Sequence, residues 1–455
     1  MSSALATSPA APLPHGRQRP PLLSRTKLLY SAVGILLAGP LAFGATEPWA
    51  KFALEFCSVL LFLAWGAGQM DGELNLFPHP LYRPALAFAA LGLLQFLAGT
   101  TAYRHATGSE LLLYGAYGML ALVIIQTLHR AAQVRLLALV VTVYGAMVAF
   151  FALLEGIAPN GKLYWIWALQ QGGAVYGPYV NRNHYAGLME MLVPFPLALA
   201  ASRWTRGNRK LVVAGIAALM AGTIFLCGSR GGMLAFAVQV AVLALLLRGR
   251  QKDWRQSIAL GIFLLVIIGL LVWLGGNELT HRLSSIHAET SQELTGGVRL
   301  SIAKDSVRMW IHRPILGWGL GTFPVVYPQF RSFYTRFYIN EAHNDYAQLL
   351  VETGLGGFAI AVWFLVLTFR HAGAKLENWT DTANGTLTVA AMLGCVGILV
   401  HSFLDFNLQI PANAALFYAL CAIAASHKFQ ESLRQQRRTH NSVLILEPNP
   451  QATES

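Results

Sequence analysis

Charged residues are scarce in this sequence. Asp, Glu, Lys and Arg together account for 12% of its 455 residues, whereas soluble domains contain roughly 25%. Hydrophobic residues account for 55%. So few charges cannot cover a soluble surface of this size. The composition therefore excludes a soluble globular protein and indicates an integral membrane protein.

Cysteine and acidic residues are scarce too. The 4 cysteines show neither a CxxC spacing nor the pattern of a disulfide framework. Acidic residues number 21 against 33 basic ones, which gives a net charge of +12. The basic residues cluster between apolar runs, as in "SRWTRGNRK" and "RGRQKDWR", where they suit an anionic membrane surface. The positive charge therefore predicts membrane lipid as a partner and needs no nucleic acid.

Long apolar runs fill most of the chain. A helix needs about 20 apolar residues to cross a hydrocarbon core of about 30 Å, and runs of this length recur along nearly the whole sequence. We therefore predict an all-α integral membrane protein with about 12 transmembrane helices. The runs lie near residues 28–44, 52–68, 84–99, 110–128, 136–156, 184–202, 210–228, 231–248, 256–276, 345–369, 387–404 and 411–426.

The distribution of Lys and Arg predicts the orientation. These residues are concentrated in the short segments that lie inside when the N-terminus is cytoplasmic, which is the positive-inside pattern. Residues 1–26, rich in Pro, Ser and Arg, are predicted to be a disordered cytoplasmic tail, and residues 427–455 a second cytoplasmic tail. Transmembrane helices 1–9 occupy residues 27–276 and helices 10–12 occupy residues 345–426. Between them, residues 277–344 form one long, partly helical outer loop domain.

Four polar stretches interrupt the apolar pattern, all at predicted outer ends of helices. An ionisable side chain in a membrane costs several kcal/mol, so such residues are candidates for a functional site. In "VNRNHYAG", Arg182, Asn183 and His184 stand where a helix begins, and its unpaired N–H groups and dipole favour an anion. The alternative is that Asn181 or Asn183 caps the helix while Arg182 reaches lipid headgroups.

Two further stretches carry one charged candidate each. In "CGSRGG", glycines flank Arg230 and permit close backbone approach, while a guanidinium matches phosphate oxygens. A tight turn with one interfacial arginine is the alternative. In "HSFLDFNLQIPAN", we expect Asp405 to cap a helix start. The alternative is that Asp405 orients a histidine or an arginine.

The fourth stretch, "INEAHNDYAQLLVETGLGG", follows the outer loop. His343 and Asn344 directly precede an apolar run. Asp345, Gln348 and Glu352 follow at helical spacing, which predicts one polar stripe facing the interior of the bundle.

The outer loop contains a predicted amphipathic helix. Arg299 stands at its start, where the helix dipole disfavours a lone cation unless an anion is nearby, and Pro314 ends it. The aromatic residues of the loop suit either the membrane interface or stacking on sugar rings. The apolar face is predicted to comprise Leu300, Ala303, Val307 and Ile311, opposite Lys304, Asp305 and Arg308.

Together these stretches resemble the O-antigen ligase and O-antigen polymerase superfamily of bacterial envelope glycosyltransferases. The family pattern is His, then Asn, Ser or Gln, then nine residues, then Gly, two further residues and a small residue. Here it reads His343, Asn344, nine residues, Gly354 and then Gly357. The stretches "HRPILGWGLGTF", "GSRGG" and "VNRNHYAG" are also similar to family landmarks. The resemblance covers residues from about 177 to 411.

This resemblance implies an inverting, metal-independent glycosyltransferase that uses no cofactor. Its donor would be a glycan linked to undecaprenyl diphosphate. Its acceptor would be a sugar hydroxyl of the lipid A core in a ligase, or the growing glycan in a polymerase. The His343 pattern favours the ligase, whereas "VNRNHYAG" is more similar to polymerase-type members. The protein would lie in the bacterial inner membrane, with its loop and active site facing the periplasm.

Specific roles follow from this interpretation. Arg182, Arg230 and Arg299 would bind the diphosphate, because guanidinium groups pair well with phosphate oxygens, and Arg299 would also be catalytic. His343 would take the proton from the acceptor hydroxyl, since imidazole titrates near neutral pH, or would orient that hydroxyl. The supporting residues would be Asn183, His184, Asn344, Asp345, Glu352 and Asp405, and no metal ligand is predicted.

Two other classes of protein stay open. A transporter or flippase would also place Glu55, Glu155, Glu190 and Arg230 among its spans. However, the two halves of the chain show no convincing internal repeat, and the polar residues cluster at the outer side. A non-catalytic assembly protein would bind the lipid-linked glycan through its arginines and tolerate the loss of His343.

Overall fold

The protein is built from long helices with almost no sheet. The computed structural model describes residues 24–70, 76–168, 175–248, 296–335 and 338–426. Two short antiparallel strands, β1 (Lys162–Leu163) and β2 (Trp167–Ala168), pair with each other. The described helices are α1 (Arg25–Leu41), α2 (Pro48–Ala67), α3 (Tyr82–Leu97), α4 (Arg104–Thr127), α5 (Ala131–Ile157), α6 (Arg182–Leu192), α7 (Pro194–Ala201), α8 (Asn208–Leu226), α9 (Arg230–Arg248), α10 (Gly296–His312), α11 (Phe323–Val326), α12 (Asp345–Gly373), α13 (Ala383–His401) and α14 (Pro411–Ala425).

The fold class predicted from hydropathy is confirmed. Among the described residues, eight helical stretches are long and apolar enough to cross a membrane, and α3 and α14 are shorter apolar helices. The molecule is therefore an all-α, multi-pass membrane protein. The run predicted at 184–202 is divided into α6 and α7, which begins at Pro194 because proline lacks the N–H that continues a helix. The span predicted at 256–276 lies outside the described residues, as do residues 1–23 and 427–455 of the predicted tails.

Helix α13 is buried along most of its length, and it packs against α6, α7, α9 and α14. Gln239 of α9 joins three of these helices, because its Nε2 donates to the carbonyl of Glu190 in α6 at 2.7 Å and to that of Leu393 in α13 at 2.8 Å. A Cβ at Gly397 would lie 2.2 Å from the same nitrogen. Small residues and a buried amide thus hold α6, α9 and α13 close together.

Helix α12 breaks at Gly354, whose φ is 64°. The N–H groups of Leu355 and Gly356 donate to carbonyls of the segment 314–322 at 2.8 and 3.1 Å. In return, two carbonyls of the helical turn before the break accept N–H groups of that segment at 3.0 and 2.9 Å. The outer loop therefore satisfies the backbone groups that the break frees, as a membrane-embedded helix requires.

The prediction for the faces of α10 was wrong. Leu300, Val307 and Ile311 are 58%, 49% and 59% exposed, whereas Asp305 is fully buried and Met309 lies in the loop core. The Asp305 carboxylate accepts hydrogen bonds from the Tyr327 hydroxyl and from the N–H and hydroxyl of Ser332. Apolar spacing along a helix shows which residues share a face. It does not show which face the rest of the protein covers. Here the rest of the loop donates hydrogen bonds to one oxygen of the carboxylate and covers that face.

We expect Gly354→Ala to destabilise the protein by about 2 kcal/mol or more. Alanine disfavours a positive φ, and its Cβ would lie 2.3 Å from the Ile315 carbonyl oxygen. Thermal unfolding of the purified protein in detergent measures the effect. Gly373→Ala is the matched control, since its Cβ would meet no atom within 4 Å in the same helix. Equal unfolding midpoints for the two variants would contradict the role of the break.

Candidate active site

Asp405 lies at the centre of the contacts that join the polar stretches. Its side chain is 1% exposed. Asn183 Nδ2 donates to Asp405 Oδ2, and Arg299 Nη2 lies 3.8 Å from the same oxygen. His343 Nδ1 lies 3.6 Å from Oδ1, which is beyond hydrogen-bonding distance but within reach of an ion pair. One carboxylate therefore contacts an amide, a guanidinium and an imidazole, which come from three segments of the chain.

Helix caps fix two of these segments. Asn181 Oδ1 accepts the N–H of Asn183 at 2.8 Å and so begins α6. Asn344 Oδ1 accepts the N–H of Ala347 at 2.9 Å and begins α12, while its Nδ2 donates to the Phe403 carbonyl at 2.9 Å. The cap alternative is thus correct for Asn181. Asp405 caps neither the short 3-10 turn at 407–409 nor α14, so the capping role that we expected for it was wrong.

The two histidines of the site lie against the same aromatic ring. The imidazoles of His343 and His184 both contact Phe406 edge to face, with centroids 4.7 Å away in each case. His343 itself adopts a positive φ of 51°, a conformation that costs energy for a non-glycine residue. The cap at Asn344 and the Phe406 ring hold it in this position.

Arg299 is held by two acceptors of the same turn. Its Nη1 donates to the Leu404 carbonyl at 2.7 Å, and its Nη2 faces Asp405. Burial alone would raise the pKa of Asp405, but His343 and the Arg299 guanidinium outweigh it and hold that pKa below its usual value. Asp405 is therefore ionised at neutral pH. It is the anion that we expected near Arg299.

Asp345 and Glu352 form the predicted buried stripe and bond to neighbouring segments. Asp345 Oδ2 accepts the Ser402 hydroxyl at 2.7 Å and the N–H of Leu408 at 3.1 Å. Glu352 accepts the N–H groups of Gly321 at 3.0 Å and of Phe323 at 3.2 Å. These carboxylates tie α12 to the turn after α13 and to the outer loop, whereas Asp405 is the one that contacts His343 and Arg299.

The remaining candidates lie beside this cluster. Arg182 directly precedes Asn183 in α6, and Arg230 is the exposed first residue of α9. The next residue, Gly231, packs on His401, since a Cβ there would lie 2.6 Å from the imidazole. The segments that carry all three predicted diphosphate-binding arginines therefore lie at the same end of the bundle.

A comparison with protein families finds a match. Residues 215–362 match the family model described as O-antigen ligase. This match supports membership of the O-antigen ligase and polymerase superfamily. The match covers about one third of the chain and includes Arg230, Arg299 and His343, but not Asn183 or Asp405. A comparison with curated proteins finds no match.

The structure shows further contacts, in and around the candidate site, that the sequence did not indicate. Phe406 carries no charge, so no motif marked it. Glu341 accepts a hydrogen bond from Gln348, and burial together with the charge of Glu352 raises the pKa of Glu341 well above its ordinary value, although the Gln348 bond opposes this. His401 Nδ1 lies 2.9 Å from Glu190 Oε1 in the bundle core. Only the position of Glu190 in an apolar run could have indicated that pair.

In the ranges that the structure describes, no cluster of three or more His, Cys, Asp or Glu side chains is arranged to hold a metal ion.

Asp405→Asn is expected to destabilise the protein in a pH-dependent way. Because the folded-state pKa lies below that of an unfolded aspartate, about 3.9, the ionised carboxylate stabilises the fold above about pH 4 and loses this contribution at lower pH. We expect a loss of about 2 kcal/mol at pH 7, measured by thermal unfolding in detergent. The difference from wild type should shrink as the pH falls below about 4.

Asp381→Asn provides the control for this experiment. Asp381 also pairs with an arginine, Arg203 at 3.3 Å, but its side chain is 39% exposed, so the loss should be small at every pH. A difference for Asp405→Asn that stays constant from pH 7 to pH 3 would contradict the assignment of an ionised carboxylate.

Proposed function

We propose that the protein transfers a glycan from undecaprenyl diphosphate to the hydroxyl of an acceptor sugar, as an O-antigen ligase acting on the lipid A core. The observation that carries this proposal is the contact of one buried carboxylate, Asp405, with both Arg299 and His343. Such a site places a cation for a leaving diphosphate beside a base for an incoming hydroxyl. The O-antigen ligase domain supports the same reaction class.

The arginines act on the leaving group. As the bond between the anomeric carbon and the phosphate oxygen breaks, its electron pair passes to the diphosphate, where negative charge develops. Arg299 is held by Leu404 and Asp405 before the donor binds, so little reorganisation is needed. Arg182 and Arg230 complete the diphosphate site from the starts of α6 and α9. Guanidinium groups suit this role because they donate two parallel hydrogen bonds to phosphate oxygens.

His343 acts on the acceptor. Its Nδ1 faces Asp405, which leaves Nε2 to accept the proton of the attacking hydroxyl. The acceptor oxygen then bonds to the anomeric carbon on the face opposite the diphosphate, and the configuration inverts. The long separations of 3.6 and 3.8 Å around Asp405 suit a site whose catalytic contacts shorten when substrate binds.

We also propose that the site faces the periplasm. The protein lies in the bacterial inner membrane, with both tails cytoplasmic and residues 277–344 in the periplasm. The positive-inside pattern supports this orientation. The starts of α6, α9 and α12 and the end of α13 meet at one end of the bundle, as helices of alternating direction require. The diphosphate site would therefore face the leaflet where the lipid-linked glycan is exposed.

A polymerase is the second candidate. In that reaction the acceptor is the growing glycan, and the same arginines and His343 would serve. The stretch "VNRNHYAG" favours this alternative, because it is similar to polymerase-type members of the family.

We expect the purified protein to form a conjugate from undecaprenyl-diphosphate-linked glycan and a lipid A core acceptor, and to do so in EDTA. His343→Ala and Arg299→Ala should each lower the rate at least about 100-fold, since each removes a group used in the transition state. Product is read by gel mobility. His312→Ala and Arg308→Ala are matched controls, because both residues are exposed on α10 and should leave the rate unchanged.

Each result has a different consequence. A ladder of lengthened lipid-linked glycan without conjugate would identify the polymerase. Wild-type activity in His343→Ala would refute the assigned base. If neither product forms with matched substrates, a transporter or a non-catalytic binding protein would become the better interpretation.

A further inference from the structure

We propose that Glu190 and His401, which touch each other in the bundle core, form a positioning pair that holds the diphosphate-binding residues in place. This inference rests on the proposed function, because it concerns residues that act on the donor through Arg182, Arg230 and Asp405. Glu190 and His401 act on the segments that carry the site, not on the substrate itself.

The pair is buried and joins two helices. His401 Nδ1 and Glu190 Oε1 are 2.9 Å apart, and the two residues are 1% and 0% exposed. Glu190 lies two turns after Asn183 on α6, and His401 is the last residue of α13. Glu190 Oε2 has no hydrogen-bond partner among the described residues. Its carboxylate therefore depends on His401, because a buried carboxylate without a partner is strongly unfavourable.

The start of α9 packs directly on this pair. A Cβ at Gly231 would lie 2.6 Å from His401 Nε2, and a Cβ at Gly232 would lie 3.1 Å from Glu190 Oε1 and 2.7 Å from Ala186. Only glycine allows this approach. Because Arg230 immediately precedes these glycines, the position of its backbone is set by the pair.

The turn that carries Asp405 is attached to the same histidine. The His401 carbonyl accepts the N–H groups of Leu404 at 2.8 Å and of Asp405 at 3.1 Å. The next residue, Ser402, donates its hydroxyl to Asp345 at the start of α12. A displacement of His401 would therefore move Asp405 and the start of α12 together.

The pair thus connects every segment of the proposed site on the bundle side. Glu190 lies on α6, which begins at Arg182. The two glycines that pack on the pair follow Arg230 at the start of α9. The turn with Asp405 is hydrogen-bonded to His401. Replacing the carboxylate of Glu190 should loosen all three at once. The donor site would be affected because its cations come from different helices, whose relative positions the pair fixes.

Binding of undecaprenyl diphosphate to the full-length protein in detergent tests this inference without requiring transfer. Glu190→Gln removes the carboxylate and keeps the shape, and Gly231→Ala pushes α9 from His401 without changing either member of the pair. We expect each variant to raise the Kd about tenfold while the protein remains folded. A purely structural role would lower the unfolding midpoint and the folded fraction but leave the Kd of the folded protein unchanged.

Two variants provide matched controls. Glu155→Gln makes the same change at another buried glutamate, on α5, which accepts the N–H of Tyr164. Gly215→Ala makes the same change in α8, where a Cβ would meet no atom within 4 Å. Both should bind undecaprenyl diphosphate with the wild-type Kd.

The outcomes separate this inference from the proposed function. A raised Kd in Glu190→Gln and Gly231→Ala, with wild-type values in both controls, would support the positioning pair. Wild-type Kd values in the two test variants would overturn it while leaving the proposed function intact. A wild-type protein that binds no undecaprenyl diphosphate would overturn both.

Discussion

A carboxylate buried beside a membrane must find partners, and the arrangement of the candidate site depends on how Asp405 finds them. Its charge faces Arg299 of the outer loop and His343 before α12, and its oxygens accept hydrogen bonds from Asn183 of α6 and from the N–H of Phe406. These residues are far apart in sequence, so no local interaction could bring them together. One buried charge needs polar partners, and its contacts with them bring the outer loop and the bundle together in a single site.

The same constraint operates elsewhere in the molecule. Glu190 is paired with His401, Gln239 bridges three helices, and Asp305 Oδ2 accepts hydrogen bonds from Tyr327 and Ser332. In each case a polar side chain that would be unfavourable alone joins elements distant in sequence. Apolar packing between helices gives little preference for one arrangement over another in lipid. The polar contacts supply that preference.

Much of the fold could be predicted from the sequence, because hydropathy and helix caps are local signals. The apolar runs that fall on described residues correspond to helices, the cap at Asn181 follows from its residue type, and the stripe from Asp345 to Glu352 follows from helical spacing. The buried face of α10 could not be predicted, since it depends on what the rest of the loop offers to Asp305. The contact of Asp405 with Arg299 and His343 was likewise only one of two alternatives. When two helices are far apart along the chain, the sequence does not show which of their ends lie next to each other.

The break in α12 also bears on how the chain enters a membrane. A helix interrupted at Gly354 would leave backbone N–H and carbonyl groups exposed to lipid, and their partners come from residues 314–322. That segment precedes α12 in the chain, so during synthesis it is complete before the helix that needs it emerges. The hydrogen-bonding partners are therefore synthesised before the helix that needs them. The same break with its partners on a later segment would expose those groups to hydrocarbon while synthesis continued.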